Sequence, residues 1–127
     1  MTRDEVQVRW DELTPRERDA WVAEAVMGWT PRECGWIFDT PDGSVRVIGN
    51  GAMCWDPTRR IAAAWQVVEK IQEGKHNSFR LFRCDSFPES RRCAVSFKPS
   101  VESALKLVEA PTAPEAICLA ALMAVLA

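Results

Sequence analysis

The chain has 127 residues, 47% of them hydrophobic, which is enough to bury a core as one domain over residues 1–127 without disulfide or metal support. Sixteen Lys and Arg against eighteen Asp and Glu give a formal net charge of -2, which excludes the broad positive field of proteins that bind duplex nucleic acid. The five cysteines form no CxxC pair and their odd number leaves one thiol unpaired, which favours a reducing cytoplasm.

Neither end of the chain has the pattern of a membrane or export segment. Residues 1–13 carry charges throughout and lack the apolar centre of a signal peptide, which argues against secretion. The longest apolar stretch, residues 116–127, has about half the length of a helix that spans a bilayer. We therefore predict a buried C-terminal helix and no membrane partner.

The first predicted helix covers about residues 14–27. Thr14 and Glu17 have the spacing of a capping box, and Pro15 occupies the first helical position, where its missing N–H costs nothing. Gly28 is placed to end the helix, because glycine adopts the left-handed conformation that commonly follows a helix.

A hairpin and a second helix follow. Two β-prone runs, residues 35–38 and 44–48, flank the turn signal Pro-Asp-Gly at 41–43. The second helix is predicted over 58–73, where apolar residues recur at three and four positions. Trp65 falls in that repeat with Ile61 and Val68, so core packing is the expected role of this tryptophan.

The last third of the chain predicts three strands and a helix. The strands are predicted over 78–83, 91–97 and 105–110, with 85–90 as the first connecting loop. Thr112 is the expected N-cap of a final helix over 113–126. The predicted fold class is α+β: an antiparallel sheet of about five strands packed with about three helices in an α/β layered sandwich.

Residues for catalysis are scarce. The one histidine, His76, lies in a polar turn, and no Cys, His and carboxylate set has the spacing of metal ligands. We therefore predict no catalytic residue, no metal and no cofactor, and we expect a protein that is not an enzyme.

Cys118 lies in an apolar run, so packing is its expected role. Loop aspartates usually serve turns and caps, which is the expected role of Asp39, Asp42, Asp56 and Asp85.

The more suggestive feature is a set of arginines close in sequence to aromatic residues. Guanidinium groups bind phosphates at two points and aromatic faces stack on nucleobases, so the combination suits a nucleotide ligand. On the residues alone, solvated or ion-paired arginines and core tryptophans are the simpler interpretation. The candidate ligand-binding residues are Trp55, Thr58, Arg59, Arg60, Phe82, Arg83, Arg91 and Arg92.

Three segments carry a resemblance to a known family. The chain reads WDPTRRIAAAWQVVEK over 55–70, EAPTAPEAICLAAL over 109–122 and WVAEAVMGW over 21–29, and these segments resemble the phage ABA-sandwich domain family. The resemblance implies a small layered α/β fold encoded by phages and prophages. The phage Thoeris anti-defence proteins of the first type look similar in this fold. They act as sponges that sequester the cyclic ADP-ribose isomer made by bacterial TIR proteins without cleaving it, and some also hold cyclic oligonucleotides.

The resemblance therefore implies a sponge for cyclic nucleotide immune signals in the cytoplasm of an infected bacterium. We expect a homo-oligomer, a dimer or a hexamer, since a domain this small has little concave surface of its own. The alternative is a phage accessory protein that binds and inhibits a host protein through exposed Trp10, Trp29 and Trp36, because tryptophan is enriched at binding hot spots. A nuclease or nucleotide hydrolase ranks last, since the sequence shows no metal-ligand set.

Overall fold

A computed structural model describes residues 1–49, 51–74, 78–83, 85–98 and 107–127, with Lys98 described by its backbone alone. In chain order the elements are α1 (Arg3–Glu12), α2 (Pro15–Ala25), β1 (Thr30–Pro31), β2 (Ile37–Asp39), β3 (Val45–Val47), α3 (Ile61–Gln72), β4 (Ser78–Arg83), a short 3-10 helix (Glu89–Arg91), β5 (Cys93–Lys98), β6 (Val108–Ala110) and α4 (Ala113–Leu126).

The α+β class is confirmed. The described chain has four helices and two three-stranded antiparallel sheets, where we predicted about three helices and one sheet of about five strands. His76 and the first two residues of the third predicted strand lie outside the described residues.

Helix α1 was not predicted. It begins with a capping box, in which the Thr2 hydroxyl accepts the Glu5 N–H at 3.1 Å and the Glu5 carboxylate accepts the Thr2 N–H. Only Val6 and Trp10 of this helix are buried. Two apolar residues one turn apart in a charged segment are enough to attach a helix to a core, although they make a weak sequence pattern.

The N-terminal boundary of α2 is as predicted. Thr14 is its N-cap, the Thr14 hydroxyl accepts the Glu17 N–H at 3.2 Å, and the Thr14 N–H donates to the Glu17 carboxylate at 3.0 Å. The helix ends at Ala25, two residues before the predicted end, and Gly28 follows with a φ of 72°. That conformation is in the left-handed region, where glycine avoids the steric penalty of a side chain.

The predicted hairpin is confirmed as part of the first sheet. β2 pairs antiparallel with β3, with Ile37 opposite Val47, and β1 adds a third strand on the other side of β2. Gly43 closes the turn with a φ of 86°. Phe38 is the buried side chain of β2, whereas β3 is exposed, so this sheet packs on the core mainly through Phe38.

The second sheet has the order β4-β5-β6, and each strand pairs antiparallel with its neighbour in sequence. Leu81 lies opposite Val95, and Arg83 lies opposite Cys93. Val95 and Cys93 are buried, so the face they share with Leu81 and Arg83 is the inner one. Among the described strands, β4 lies at one edge of this sheet and β6 at the other.

The prediction for α3 was partly wrong. The helix begins at Ile61 instead of residue 58, and its buried side consists of Ala64, Val67, Val68 and Ile71. Trp65 is 48% exposed and Ile61 is 53% exposed, so the expected core role of Trp65 is not observed. At 3.6 residues per turn, Trp65 lies about 110° around the helix from the centre of the buried stripe.

Helix α4 is confirmed over the predicted range and forms the centre of the fold. Thr112 is its N-cap, and every residue from Ala116 to Met123 is buried. The helix packs against α1, α2, α3, β5 and β6. A helix that is apolar on all sides is stable only when neighbours cover all of it, which this arrangement provides. Within the described residues, no helix is long and apolar enough to cross a membrane.

Candidate functional site

A cavity of about 650 Å³ lies where the first turns of α3 and α4 meet the inner face of the second sheet. It is larger than two other clefts of the described surface, of about 410 and 350 Å³. Two of its lining side chains are the predicted site residues Arg83 and Arg92, and we call it the arginine cavity. The residues lining it are Ile61, Leu81, Arg83, Glu89, Arg92, Cys93, Pro111, Thr112, Ala113 and Pro114.

Arg83 reaches this cavity because of strand alternation. It lies two residues after Leu81 in β4, so both side chains leave the same face of the sheet. Its Nε donates to the Asp85 carboxylate at 3.1 Å, and both side chains are largely exposed, at 72% and 76%. An exposed ion pair contributes roughly 0.2 to 1 kcal/mol, so a ligand anion can replace Asp85 at little cost.

Arg92 enters the cavity from the residue between the short 3-10 helix and β5. Its Nε is buried and has no hydrogen-bond partner among the described residues. Leaving a buried donor without a partner costs about 1 to 3 kcal/mol, and more for a charged group. Arg92 also lines the cavity, so its guanidinium is the second cationic group beside an anionic ligand bound there.

The opposite wall of the arginine cavity is mainly apolar. Ile61 and Leu81 are 53% and 42% exposed, and Pro111 and Pro114 continue this surface. The first turn of α4 offers few backbone donors, because Pro114 has no N–H and the Glu115 N–H is bonded to the Thr112 hydroxyl at 3.4 Å. The cavity therefore combines two guanidinium groups with a flat apolar wall, and Glu89 supplies one carboxylate.

The predicted residues Trp55 and Thr58 lie inside the protein. Trp55 is 4% exposed, packs against Trp29 with ring centroids 4.6 Å apart, and donates its Nε1–H to Gln66 Oε1 at 2.8 Å. Thr58 is also 4% exposed, and its backbone N–H donates to Asp19 Oδ1 at 2.9 Å. Both residues organise the segment before α3 and have no surface for a ligand.

Arg59 and Arg60 are exposed beside that segment, and neither lines the arginine cavity. Arg60 is the N-cap of α3, its Nε lies 3.2 Å from Asp56 Oδ2, and it also donates to the Gly51 carbonyl at 3.3 Å. Asp56 is 3% exposed, so this ion pair gives a partner to Oδ2 of a buried carboxylate, whereas Oδ1 has no hydrogen-bond partner among the described residues. A structural role explains Arg60.

Phe82 and Arg91 point away from the arginine cavity. Phe82 is 46% exposed and follows Leu81 in β4, so its side chain leaves the outer face of the sheet. Arg91 forms a two-point ion pair with Glu109, with 3.2 Å between Nη2 and Oε1. This pair raises the pKa of Arg91 and lowers that of Glu109. Arg91 lines the cleft of about 350 Å³ on another part of the surface.

The tryptophans proposed for a protein interface are mostly internal, which corrects that prediction. Trp10 and Trp29 are 4% and 8% exposed, and Trp36 is partly buried. Arginine side chains cover these rings: Arg18 lies 4.6 Å from the Trp10 ring and Arg16 lies 4.0 Å from the Trp36 ring. Such stacking hides one face of each aromatic ring beneath a guanidinium group. Trp65 is the exposed tryptophan of the described chain.

Sequence reasoning missed the buried carboxyl groups near the start of α3. Asp19 and Asp56 are 2% and 3% exposed. Burial raises the pKa of Asp19 to about 6, the hydrogen bonds from Thr58 act against this rise, and the nearby negative charge of Asp56 adds to it. Among the described residues, no group of three His, Cys, Asp or Glu side chains is close enough to hold a metal ion.

Comparisons with known proteins agree with the fold. A family model described as the phage ABA sandwich domain matches residues 20–122. The chain is similar to a phage protein of known crystal structure from Bacillus cereus ATCC 14579, with a TM-score of 0.65, 25% sequence identity, and coverage of 89% of this chain and 93% of that chain. No curated protein matches the chain in sequence. These likenesses support a phage accessory protein, and the chain belongs to the phage ABA sandwich domain family.

Proposed function

We propose that this phage accessory protein binds a cyclic nucleotide immune signal in the arginine cavity and sequesters it without cleaving it. The ligands we expect are cyclic ADP-ribose isomers made by TIR proteins, with cyclic oligonucleotides as a second class. The observation that carries the proposal is that Arg83, at the end of β4, and Arg92, just before β5, line one cavity that also has an apolar wall.

The size and chemistry of the arginine cavity suit such a ligand. Sites for small molecules usually have volumes of about 300 to 1,000 Å³, with mainly apolar walls and a few placed polar groups. Guanidinium groups bind phosphate oxygens in two-point contacts. The wall of Ile61, Leu81 and Pro111 offers a flat apolar surface for a base or a ribose.

The local charges favour a ligand with few negative charges over a long polyanion. Arg83 is shared with Asp85, and Glu89 lines the same cavity, so carboxylates offset part of the positive charge. A cyclic nucleotide brings one or two phosphates to the site. It can pair with Arg92 directly and with Arg83 after displacing Asp85.

The groups in the cavity wall favour retention of the nucleotide without its cleavage. Guanidinium groups stay protonated and cannot take a proton from water. Cys93 is 5% exposed, and Glu89 is the one carboxylate in the lining. These groups can bind a phosphate, but they provide few acids or bases for proton transfer.

The test measures melting temperature with cyclic ADP-ribose isomers and with cyclic di- and trinucleotides, and then identifies the nucleotide released by heating. A ligand at a hundred times its Kd stabilises the fold by about 2.7 kcal/mol. For a domain of this size, that free energy raises the melting temperature by several degrees. Intact ligand in the released fraction means sequestration, and an altered ligand means an enzyme.

Two neighbouring arginines provide matched variants for this test. Arg92→Gln should abolish most of the shift, because it removes one of the two cationic groups that line the cavity. Arg91→Gln should keep the shift, because Arg91 lines a different cleft. If Arg92→Gln binds as well as the original protein, the arginine cavity is not the site.

A second candidate function is binding and inhibition of a host protein. The observation in its favour is the exposed apolar surface of Trp65 and Ile61 on α3, which are 48% and 53% exposed. Aromatic residues on an open surface are frequent at protein interfaces. The absence of any thermal shift with nucleotides, together with loss of partner binding on Trp65→Ala, would favour this function.

A further inference from the structure

The short 3-10 helix before β5 divides four consecutive side chains between two clefts. Glu89 and Arg92 line the arginine cavity, whereas Ser90 and Arg91 line the cleft of about 350 Å³ on another part of the surface. A 3-10 helix has three residues per turn, so side chains three positions apart lie one above the other. Arg92 continues the helical backbone, with φ -66° and ψ -27°, so Glu89 and Arg92 leave the same side of the turn.

Contacts on the other side of the turn fix its orientation. The Arg91 backbone N–H donates to the Pro88 carbonyl at 2.8 Å, which closes the turn. The Arg91 side chain forms its two-point ion pair with Glu109 of β6. The turn is thus attached to the second sheet through Arg91, and Glu89 takes no part in these contacts.

Glu89 is a hydrogen-bond acceptor without a partner in the cavity wall. It is exposed, and among the described residues its carboxylate has no hydrogen-bond or ion-pair partner. Arg92 lies one turn away, about 6 Å along the helix axis. A phosphate bound to Arg92 would therefore lie beside an unpaired negative charge, which is unfavourable unless the same ligand also offers a donor to Glu89.

We propose that Glu89 determines the specificity of the arginine cavity by accepting a hydrogen bond from a free ribose hydroxyl of the nucleotide whose phosphate binds Arg92. This role of Glu89 rests on the proposed function and narrows its ligands to ribonucleotides. An ionised carboxylate can only accept hydrogen bonds, so the ligand group that complements it is a donor. Carboxylates bind ribose hydroxyls in the same way in dinucleotide-binding folds.

The positions of the groups favour ribose over base as the source of the donor. Glu89 and Arg92 are neighbours on one turn, and the ribose hydroxyls of a nucleotide are close to its phosphate. The amino groups of a base lie farther away, beyond the glycosidic bond. The apolar wall of Ile61, Leu81 and Pro111 is the surface suited to the base. A ligand whose phosphate pairs with Arg92 therefore brings a hydroxyl, before a base amino group, to Glu89.

The test compares three ligands by titration calorimetry: cyclic di-AMP, cyclic di-dAMP, which lacks the free ribose hydroxyls, and cyclic di-IMP, which lacks the base amino groups. The original protein should bind cyclic di-AMP and cyclic di-IMP alike, and cyclic di-dAMP about tenfold more weakly, the value of a hydrogen bond to a charged group. Glu89→Ala should bring the three Kd values within about twofold of each other. A cyclic ADP-ribose isomer and its analogue without free ribose hydroxyls form a second pair.

The ratio of the Kd values is the readout, because removing a carboxylate near phosphates also changes the affinity for every ligand through charge. Arg83→Gln should weaken both members of a pair and keep their ratio, since Arg83 is a cationic group of the cavity. Glu33→Ala is the matched control. It removes the same charge from an exposed glutamate between β1 and β2, outside the cavity, and should leave each Kd and the ratio unchanged.

The outcomes separate this role of Glu89 from the proposed function. Equal binding of the ribose and deoxyribose ligands by the original protein, or a ratio that persists in Glu89→Ala, overturns the role and leaves the function standing. Weaker binding of cyclic di-IMP, with no loss for cyclic di-dAMP, assigns the donor to the base and also overturns the role. Failure of both pairs to bind overturns the proposed function together with the role of Glu89.

Discussion

The backbone N–H of Thr58 donates a hydrogen bond of 2.9 Å to Oδ1 of Asp19, although 39 residues separate them in the chain. Both residues are buried, so this bond joins the middle of α2 to the turn that leads into α3. An isolated carboxylate is costly at such a position, and burial accordingly raises the pKa of Asp19 to about 6. The bond is thus made by a group whose charge depends on pH.

Replacing Asp19 by asparagine should change how the free energy of unfolding depends on pH. The pKa of Asp19 is higher in the folded protein than the ordinary 3.8, so the group stabilises the fold fully below pH 4 and loses this contribution as pH rises through 6. Asparagine keeps an acceptor for the Thr58 N–H without the charge. We expect Asp19→Asn to be more stable than the original protein at pH 7, by roughly 1 to 3 kcal/mol, and to show little difference at pH 4. Urea unfolding at both pH values measures this, and an equal difference at both would contradict it.

Replacing Asp42 by asparagine should change the pH dependence of the free energy of unfolding in the opposite direction. Its carboxylate accepts hydrogen bonds from the Thr40 hydroxyl and from the Ser44 N–H and hydroxyl, which lowers its pKa to about 2. A lowered pKa stabilises the fold above the ordinary 3.8, and this contribution disappears as pH falls through 2. The original protein should therefore lose its stability advantage over Asp42→Asn between pH 5 and pH 2. Acid titrations of the two proteins, followed by circular dichroism, should converge as the pH falls, and parallel curves would rule out this role of Asp42.

Removing the carboxylate that competes for Arg83 should strengthen nucleotide binding. Asp85 is largely exposed and pairs with Arg83 at 3.1 Å, so a phosphate has to displace it. We expect Asp85→Asn to lower the Kd about two- to fivefold, the range that corresponds to an exposed ion pair. Titration calorimetry with the nucleotide that gives the largest thermal shift measures the change. Glu73→Gln, which breaks a comparable exposed pair with Lys70 at 3.5 Å, is the control and should leave the Kd unchanged.

Cys34 should react with alkylating reagents far sooner than Cys93 or Cys118. Cys34 is exposed, and a hydrogen bond from the Trp36 backbone N–H lowers its pKa, so more thiolate is present at neutral pH. Cys118 is buried, and burial raises its pKa well above the ordinary value. Mass spectrometry after timed iodoacetamide treatment, with peptide mapping, gives the order of modification. Equal rates at Cys34 and Cys118 would mean that α4 is not packed as described.

The capping residues made much of the fold predictable. Thr14 with Glu17 predicted the start of α2 and Thr112 as an N-cap predicted that of α4, because such caps are local in sequence. The same local signal, Thr2 with Glu5, marks α1 and was available, although the charged segment that follows hid it. The division of the strands into two sheets was not predictable, because alternation identifies strands and does not identify their partners.

Sequence proximity was a poor guide to the site. Phe82 and Arg83 are adjacent in β4 and leave opposite faces of the sheet, a separation that strand alternation alone predicts. Arg83 and Arg92 meet because β4 and β5 are paired, which is a tertiary relationship. Trp55 could not be placed from the sequence, since its environment depends on tertiary contacts with Trp29, before the first sheet, and with Gln66 of α3.

Helix α4 divides into two parts that tolerate change differently. Its first turn, at Thr112, Ala113 and Pro114, borders the arginine cavity, whereas Ala116 to Met123 contact neighbours on all sides. A larger side chain at Ala120 or Ala121 would force several elements apart, but one at Ala113 would only extend into the arginine cavity. The shape of the cavity can therefore be altered, by selection or by design, from a single turn of the most buried helix without weakening the core.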